Sequence, residues 1–114
     1  MIAVIFEVEP NEDAAQRYFD IAAALKAELE LIDGFISVER FESLAKPGRL
    51  LSLSFWRDEA AVRAWRCHSM HRCAQREGRS AVLASYRLRV ATVVRDYGLH
   101  DREDVPLDSL SALI

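Results

Sequence analysis

Residues 35–57 read FISVERFESLAKPGRLLSLSFWR, and this stretch decides the fold. Residues 35–44 are rich in β-branched and aromatic side chains, Lys46-Pro47-Gly48 is a turn tripeptide, and residues 49–57 form a second apolar run. Two strands joined this closely predict an antiparallel hairpin. Upstream, residues 2–8 (IAVIFEV) predict another strand, punctuated by Pro10-Asn11. A helix follows, with Asn11 or a neighbour as its cap and Glu12 and Asp13 in its first turn. It runs to about Leu31, because Ala15, Tyr18, Phe19, Ala22, Leu25 and Leu29 recur at helical spacing, and Asp33-Gly34 stops it. Downstream, a helical block runs from Asp58 to about Leu83, and residues 84–96 predict a fourth strand. The order is β-α-β-β-α-β. This is the ferredoxin-like split pattern of the α+β class, with a four-stranded antiparallel sheet.

The strands say more than their order. A sheet with helices on one face alternates apolar and polar side chains. Here the first strand is apolar at nearly every position except Glu7, and the third carries Leu50, Leu51, Leu53, Phe55 and Trp56, interrupted only by Ser52 and Ser54. The fourth puts Leu88, Val90, Thr92 and Val94 on one face, with Ala91 and Val93 on the other. One layer of helices covers one face, so the other predicts contact with a second copy of the chain, a homodimer.

Composition bounds the function classes. At 114 residues the chain makes one domain, and a net charge of −3 with 15 Lys+Arg spread along it excludes a nucleic-acid partner. No apolar run approaches the ~18 residues of a membrane span. MIAVIFEVEP has no basic leading region and no small-residue cleavage site, so it reads as a strand and not a signal peptide, with a cytoplasmic location expected. Cys67 and Cys73 lie six positions apart, about 9 Å of helical rise, whereas bridged Cα atoms lie roughly 4.4–6.8 Å apart. Reduced, partly buried thiols are expected. The domain is expected to span residues 1–98. The tail, 99–114, is charged through Asp104 and apolar beyond Pro106, which predicts either a short docking helix or a frayed end.

The chemistry gathers in residues 55–78, FWRDEAAVRAWRCHSMHRCAQREG, which hold both tryptophans and two of the three histidines. Ala61, Ala64 and Trp65 define an apolar face; continued without a break, that face carries His68, His71, Arg72 and Gln75. Either the helix breaks near His68-Ser69, with Ser69 capping a second segment, or a polar face enters a pocket. Periodicity leaves both open.

Phe55-Trp56 at the end of a strand, the helix start Asp58-Glu59-Ala60-Ala61, Trp65 followed by His68 and His71, and the closing Arg95-Asp96-Tyr97-Gly98 resemble the antibiotic biosynthesis monooxygenase family over residues 1 to about 98. The resemblance implies a dimeric α/β barrel in which two sheets pack face to face. It also implies a cofactor-independent monooxygenase acting with O2 on an electron-rich aromatic of phenol, quinol or anthrone type, with neither metal nor flavin. Such a reaction needs a base to ionise the substrate, and an imidazole titrates near working pH. His71 is the candidate catalytic base; Trp65, His68 and Arg72 are candidate substrate-binding residues. The plainer reading makes His71 and Trp65 packing residues of a helix–sheet interface. A haem-degrading branch of the family has an Asn in its first strand and a ligating His after the Trp; those positions fall at about Glu7 and at Gln75, so two of its three functional residues are absent. A non-catalytic small-molecule-binding or stress-related barrel is the other alternative. The Cys67-His68-x-x-His71-x-Cys73 cluster lacks the spacing of a zinc site, because its side chains cannot all face one point from a helix. Ser52, Ser54 and Ser69 have no motif partners for nucleophilic hydrolysis.

Overall fold

The computed structural model describes residues 1–77 and 82–111, with Ser69 and Met70 described by their backbone alone. The elements are β1 (Ile2–Pro10), α1 (Ala15–Glu30), β2 (Phe35–Glu42), β3 (Leu50–Trp56), α2 (Glu59–Arg66), α3 (Ser69–Glu77), β4 (Leu83–Thr92) and a single 3-10 turn (Leu107–Ser109). The four strands form one antiparallel sheet in the order β2-β3-β1-β4, the ferredoxin-like arrangement expected. Within the single chain the sheet stays open.

Register assigns the faces. Ile2 lies opposite both Trp56 and Thr92, and Val4 opposite both Ser54 and Val90. By the two-residue pleat, Ile2, Val4, Phe6 and Val8 share a face with Leu50, Ser52, Ser54 and Trp56, and with Tyr86, Leu88 and Val90. All three helices lie on that side. Two small cores hold them down: Ile2, Leu29, Trp56 and Ala61 at one end, and Val8, Ala14, Tyr18 and Val82 at the other. The opposite face carries Ile5, Leu51, Leu53, Phe55 and Phe41, and no described helix covers it. Glu7 sits there too, paired with Arg49 and, at 3.0 Å, with Arg89.

The differences from the sequence expectations have local causes. The side-chain cap expected from Asn11 or a neighbour does not form, and Glu12 and Asp13 precede the helix: Ala14 is the N-cap, no side chain caps it, and the turn is closed by the Ala14 N–H donating to the Asn11 carbonyl at 2.9 Å. Tyr18, Ala22 and Leu29 are buried as the periodicity predicts, but Ala15 and Phe19 face solvent. The second helical block is two helices. Asp58 caps the first by accepting from the Ala61 N–H at 2.9 Å, and Cys67 closes it. The break falls at Cys67–His68, next to the expected place; the cap expected from the Ser69 side chain lies outside the described side chains. β4 ends at Thr92, four residues early, because β1 begins at Ile2 and only the Val93 N–H donating to the Met1 carbonyl, at 3.0 Å, continues the ladder. Cys67 and Cys73 are both free and exposed, not partly buried.

Gly34 sets the approach of the α1–β2 turn to α2. Its φ of +91° lies where side-chain-bearing residues rarely go, and a Cβ there would stand 2.7 Å from the Ala61 Cβ. The Gly34 carbonyl accepts from the Arg57 N–H at 2.7 Å, which ties the same turn to the end of β3. Beyond β4 the tail bends back on itself: the Asp96 N–H donates to the Asp104 carboxylate at 3.0 Å, and Val105 is buried. Leu107 and Leu110 are exposed, and the expected contributions of Leu113 and Ile114 lie outside the described residues.

Candidate active site

Between the helices and the sheet lies a cleft of about 460 Å³. Its floor is the helix side of the sheet, with Val4, Phe6, Ser52 and Ser54. Its walls are Tyr18, Ile21 and Leu25 of α1, Val62 and Trp65 of α2, and His71, Ala74 and Gln75 of α3. Tyr86, Leu88 and Val90 of β4 line it while remaining half-exposed, so the cleft opens along that strand.

The break between α2 and α3 brings His71 to Trp65. Six residues apart on one straight helix they would be separated by about 9 Å of rise; with the helix broken at Cys67–His68, the two rings stack with centroids 4.6 Å apart and planes 18° from parallel. The His71 Nδ1 lies 3.1 Å from the Trp65 carbonyl oxygen. A carbonyl only accepts, so Nδ1 is the donor and the lone pair of the neutral ring is on Nε2. Burial pushes the His71 pKa below the ordinary imidazole value; the Trp65 carbonyl partly offsets this, and the charges of Arg72 and His68 add to the lowering. His71 is therefore a neutral imidazole near neutral pH, with its basic nitrogen defined.

The other two expected site residues are placed differently. His68 is not among the cleft residues; its Nε2 stands 3.5 Å from the Glu28 carboxylate, linking the α2–α3 junction to α1, and its ring is tilted against Trp65 at 5.6 Å. Arg72 is exposed, lies outside the cleft lining, and points a guanidinium nitrogen at Cys67 Sγ, 3.9 Å away. That contact lowers the Cys67 thiol pKa. Trp65 lines the cleft, but one face of its indole is occupied by His71. Gln75 lines the cleft, whereas Glu7 points to the opposite side of the sheet. Among the described residues no three His, Cys, Asp or Glu side chains gather as metal ligands, and no helix is long and apolar enough to cross a membrane.

The model of the antibiotic biosynthesis monooxygenase family matches residues 1–77. The chain belongs to that family. It is 50% identical over 93 residues to the jasmonate monooxygenase ABM of Pyricularia oryzae, a match covering 82% of this chain and 43% of the relative, so the chain spans less than half of that protein. It is 39% identical over 99 residues to YqjZ of Bacillus subtilis, covering 82% of this chain and 79% of that one. A structure from Mycobacterium tuberculosis superposes with a TM-score of 0.76 at 18% identity, covering 85% of this chain and 98% of the other. A Deinococcus radiodurans structure assigned to the antibiotic biosynthesis monooxygenases gives 0.76 at 13% identity, covering 86% and 97%. At these identities the structures establish the shared fold.

Three charged cleft residues of this family member were missed by sequence reasoning: Lys26, Arg40 and Arg66. A signal was present for two of them. Lys26 sits four residues after Ala22 at the edge of the buried α1 stripe, and Arg40 is two residues after the inward Val38 on β2. Ordinary priors place a charged residue at such an edge in solvent, and only the tertiary packing turns the solvent-facing margin into a cleft wall.

Proposed function

We propose that this chain is a cytoplasmic, cofactor-independent monooxygenase that oxidises an electron-rich phenol-, quinol- or anthrone-like molecule in the α-helix–sheet cleft. The observation that carries this reading is His71: a neutral imidazole on the wall of an apolar cleft, its Nδ1 committed to the Trp65 carbonyl and its Nε2 left as the base. Nε2 takes the proton from the acidic C–H or O–H. The substrate anion passes one electron to O2, and the two radicals combine to form a C–O bond. The imidazolium returns its proton, and cleavage of the O–O bond with loss of water leaves one oxygen in the product as a carbonyl. The substrate supplies all the electrons, so the balance calls for no external reductant. Trp65 fixes the His71 ring, and the cleft residues beside it pack the substrate.

A second reading takes its substrate from the name of the fungal relative, jasmonate, and is favoured by 50% identity over 93 residues. Oxygen uptake by metal-free, flavin-free protein with an anthrone and with jasmonate separates the two. Uptake matched by one labelled oxygen in the product of the aromatic supports the first reading; turnover of jasmonate alone makes the second correct; neither leaves a binding protein.

The same reading takes the working unit as a homodimer with the Ile5, Leu51, Leu53 and Phe55 faces packed together. These side chains form an apolar patch that no described helix covers, and soluble monomers rarely leave such a patch open. Sedimentation at micromolar concentration is expected to give twice the 12.9 kDa chain mass. A stable monomer would remove the barrel from the proposal.

A further inference from the structure

The cleft is cationic against the composition of the chain. Lys26 from α1, Arg40 from β2 and Arg66 from the end of α2 all line it, and among the described residues no Asp or Glu does. Yet carboxylates outnumber cations in the whole chain, 18 to 15, for a net charge of −3. Five cations elsewhere are neutralised: Arg17 by Glu77, Lys46 by Glu9, Arg49 and Arg89 by Glu7, and Arg57 by Asp33 and Asp58. Lys26, Arg40 and Arg66 take part in no ion pair among the described residues. Three unpaired positive charges from three separate elements therefore border one apolar hollow. Low-dielectric walls focus such a field toward the space between them.

A neutral aromatic would gain nothing from this arrangement before it is ionised. A molecule that is already an anion at neutral pH gains on binding. We propose that the cleft takes amphipathic carboxylic acids, with an apolar body against Phe6, Leu25 and Leu88 and the carboxylate held among Lys26, Arg40 and Arg66. The guanidinium groups suit a carboxylate because their paired N–H donors match its two oxygens, and the lysine adds a point charge. The proposal deepens the reading above by adding a carboxylate to the substrate it names, and it rests on that reading's placing of the substrate in this cleft.

The test needs no turnover. The neutral fluorophore N-phenyl-naphthylamine is bound to the full chain and displaced by naphthaleneacetate or by naphthaleneacetamide, which differ in charge and hardly in shape. The acid is expected to displace it at about tenfold lower concentration, the sum of a few exposed charge contacts. The preference should shrink as ionic strength rises from about 0.01 M to about 0.15 M, where the Debye length falls from ~30 Å to ~8 Å. In the combined Lys26→Gln, Arg40→Gln, Arg66→Gln protein the acid should fall to the potency of the amide, with the amide unchanged. The three single substitutions, each at an exposed position, should each remove part of it. Equal potency of acid and amide on the wild type overturns the proposal, as does a preference that survives all three substitutions. Failure of the fluorophore to bind at all overturns the cleft as a ligand site, and with it the proposed function. Equal potency together with His71-dependent oxygen uptake removes the carboxylate inference alone.

Discussion

His71→Ala is expected to lower turnover of an anthrone- or quinol-type substrate by about 10²–10⁴-fold, the usual cost of deleting a positioned general base. The sheet and both cores should persist, since His71 belongs to neither buried cluster. The pH profile carries the sharper test. Because burial lowers the His71 pKa below 6.5, the rate should rise with pH through a midpoint below that of free imidazole and be flat by neutral pH. The sign follows from the role: a base works deprotonated, so activity is present above the folded pKa and lost as pH falls through it. His71→Gln, which keeps a side chain of comparable reach but no titrating nitrogen, should lose the rate and the pH dependence together. Activity that survives His71→Ala with the same profile would make His71 a packing residue and remove the proposed base. Trp65→Ala should show a mixed defect, because the indole both lines the cleft and stacks on His71. A fall in turnover accompanied by a pH midpoint moved toward that of free imidazole would place its main effect on the ring it holds.

The largest effect on stability is expected at Trp56. It is 1% exposed, packs edge-on against Phe35 with ring centroids 5.3 Å apart, and donates its indole N–H to Ser54 Oγ at 2.9 Å. Trp56→Ala removes the largest fully buried side chain and leaves a hollow continuous with the cleft, at a cost of about 3–5 kcal/mol. Against a typical total of roughly 5–15 kcal/mol, this should shift the denaturation midpoint severely or prevent folding. Trp56→Phe keeps most of the apolar contact and should lose less, chiefly through the Ser54 hydroxyl stripped of its partner. Chemical unfolding of the two proteins ranks them. If Trp56→Ala costs under about 1.5 kcal/mol, the Ile2, Leu29, Trp56 and Ala61 cluster is not the core that holds α1 and α2 to the sheet.

The element order and the strand pairing were legible in the residues, for a reason specific to each. The turn tripeptide Lys46-Pro47-Gly48 forces β2 and β3 together, Asp33-Gly34 ends α1 because only glycine takes the +91° φ cheaply, and the two-residue pleat makes the inward stripe of each strand readable. His71 and Trp65 were candidates from their side chains and from the family they resemble, and both line the cleft. What the chain could not disclose one residue at a time was who faces whom. Helical periodicity is ambiguous wherever a helix can break, so the stack of His71 on Trp65, the withdrawal of His68 toward Glu28 and the departure of Arg72 from the cleft were decided by the two-residue link at Cys67–His68. The cationic lining was equally hidden. Lys26, Arg40 and Arg66 lie far apart in sequence, each at the margin of its element, and a margin becomes a wall only when another element packs beside it. Local chemistry therefore determined which elements form and which faces are apolar. The long-range packing of helices on the sheet determined which polar groups meet, because that depends on distances that no local pattern encodes.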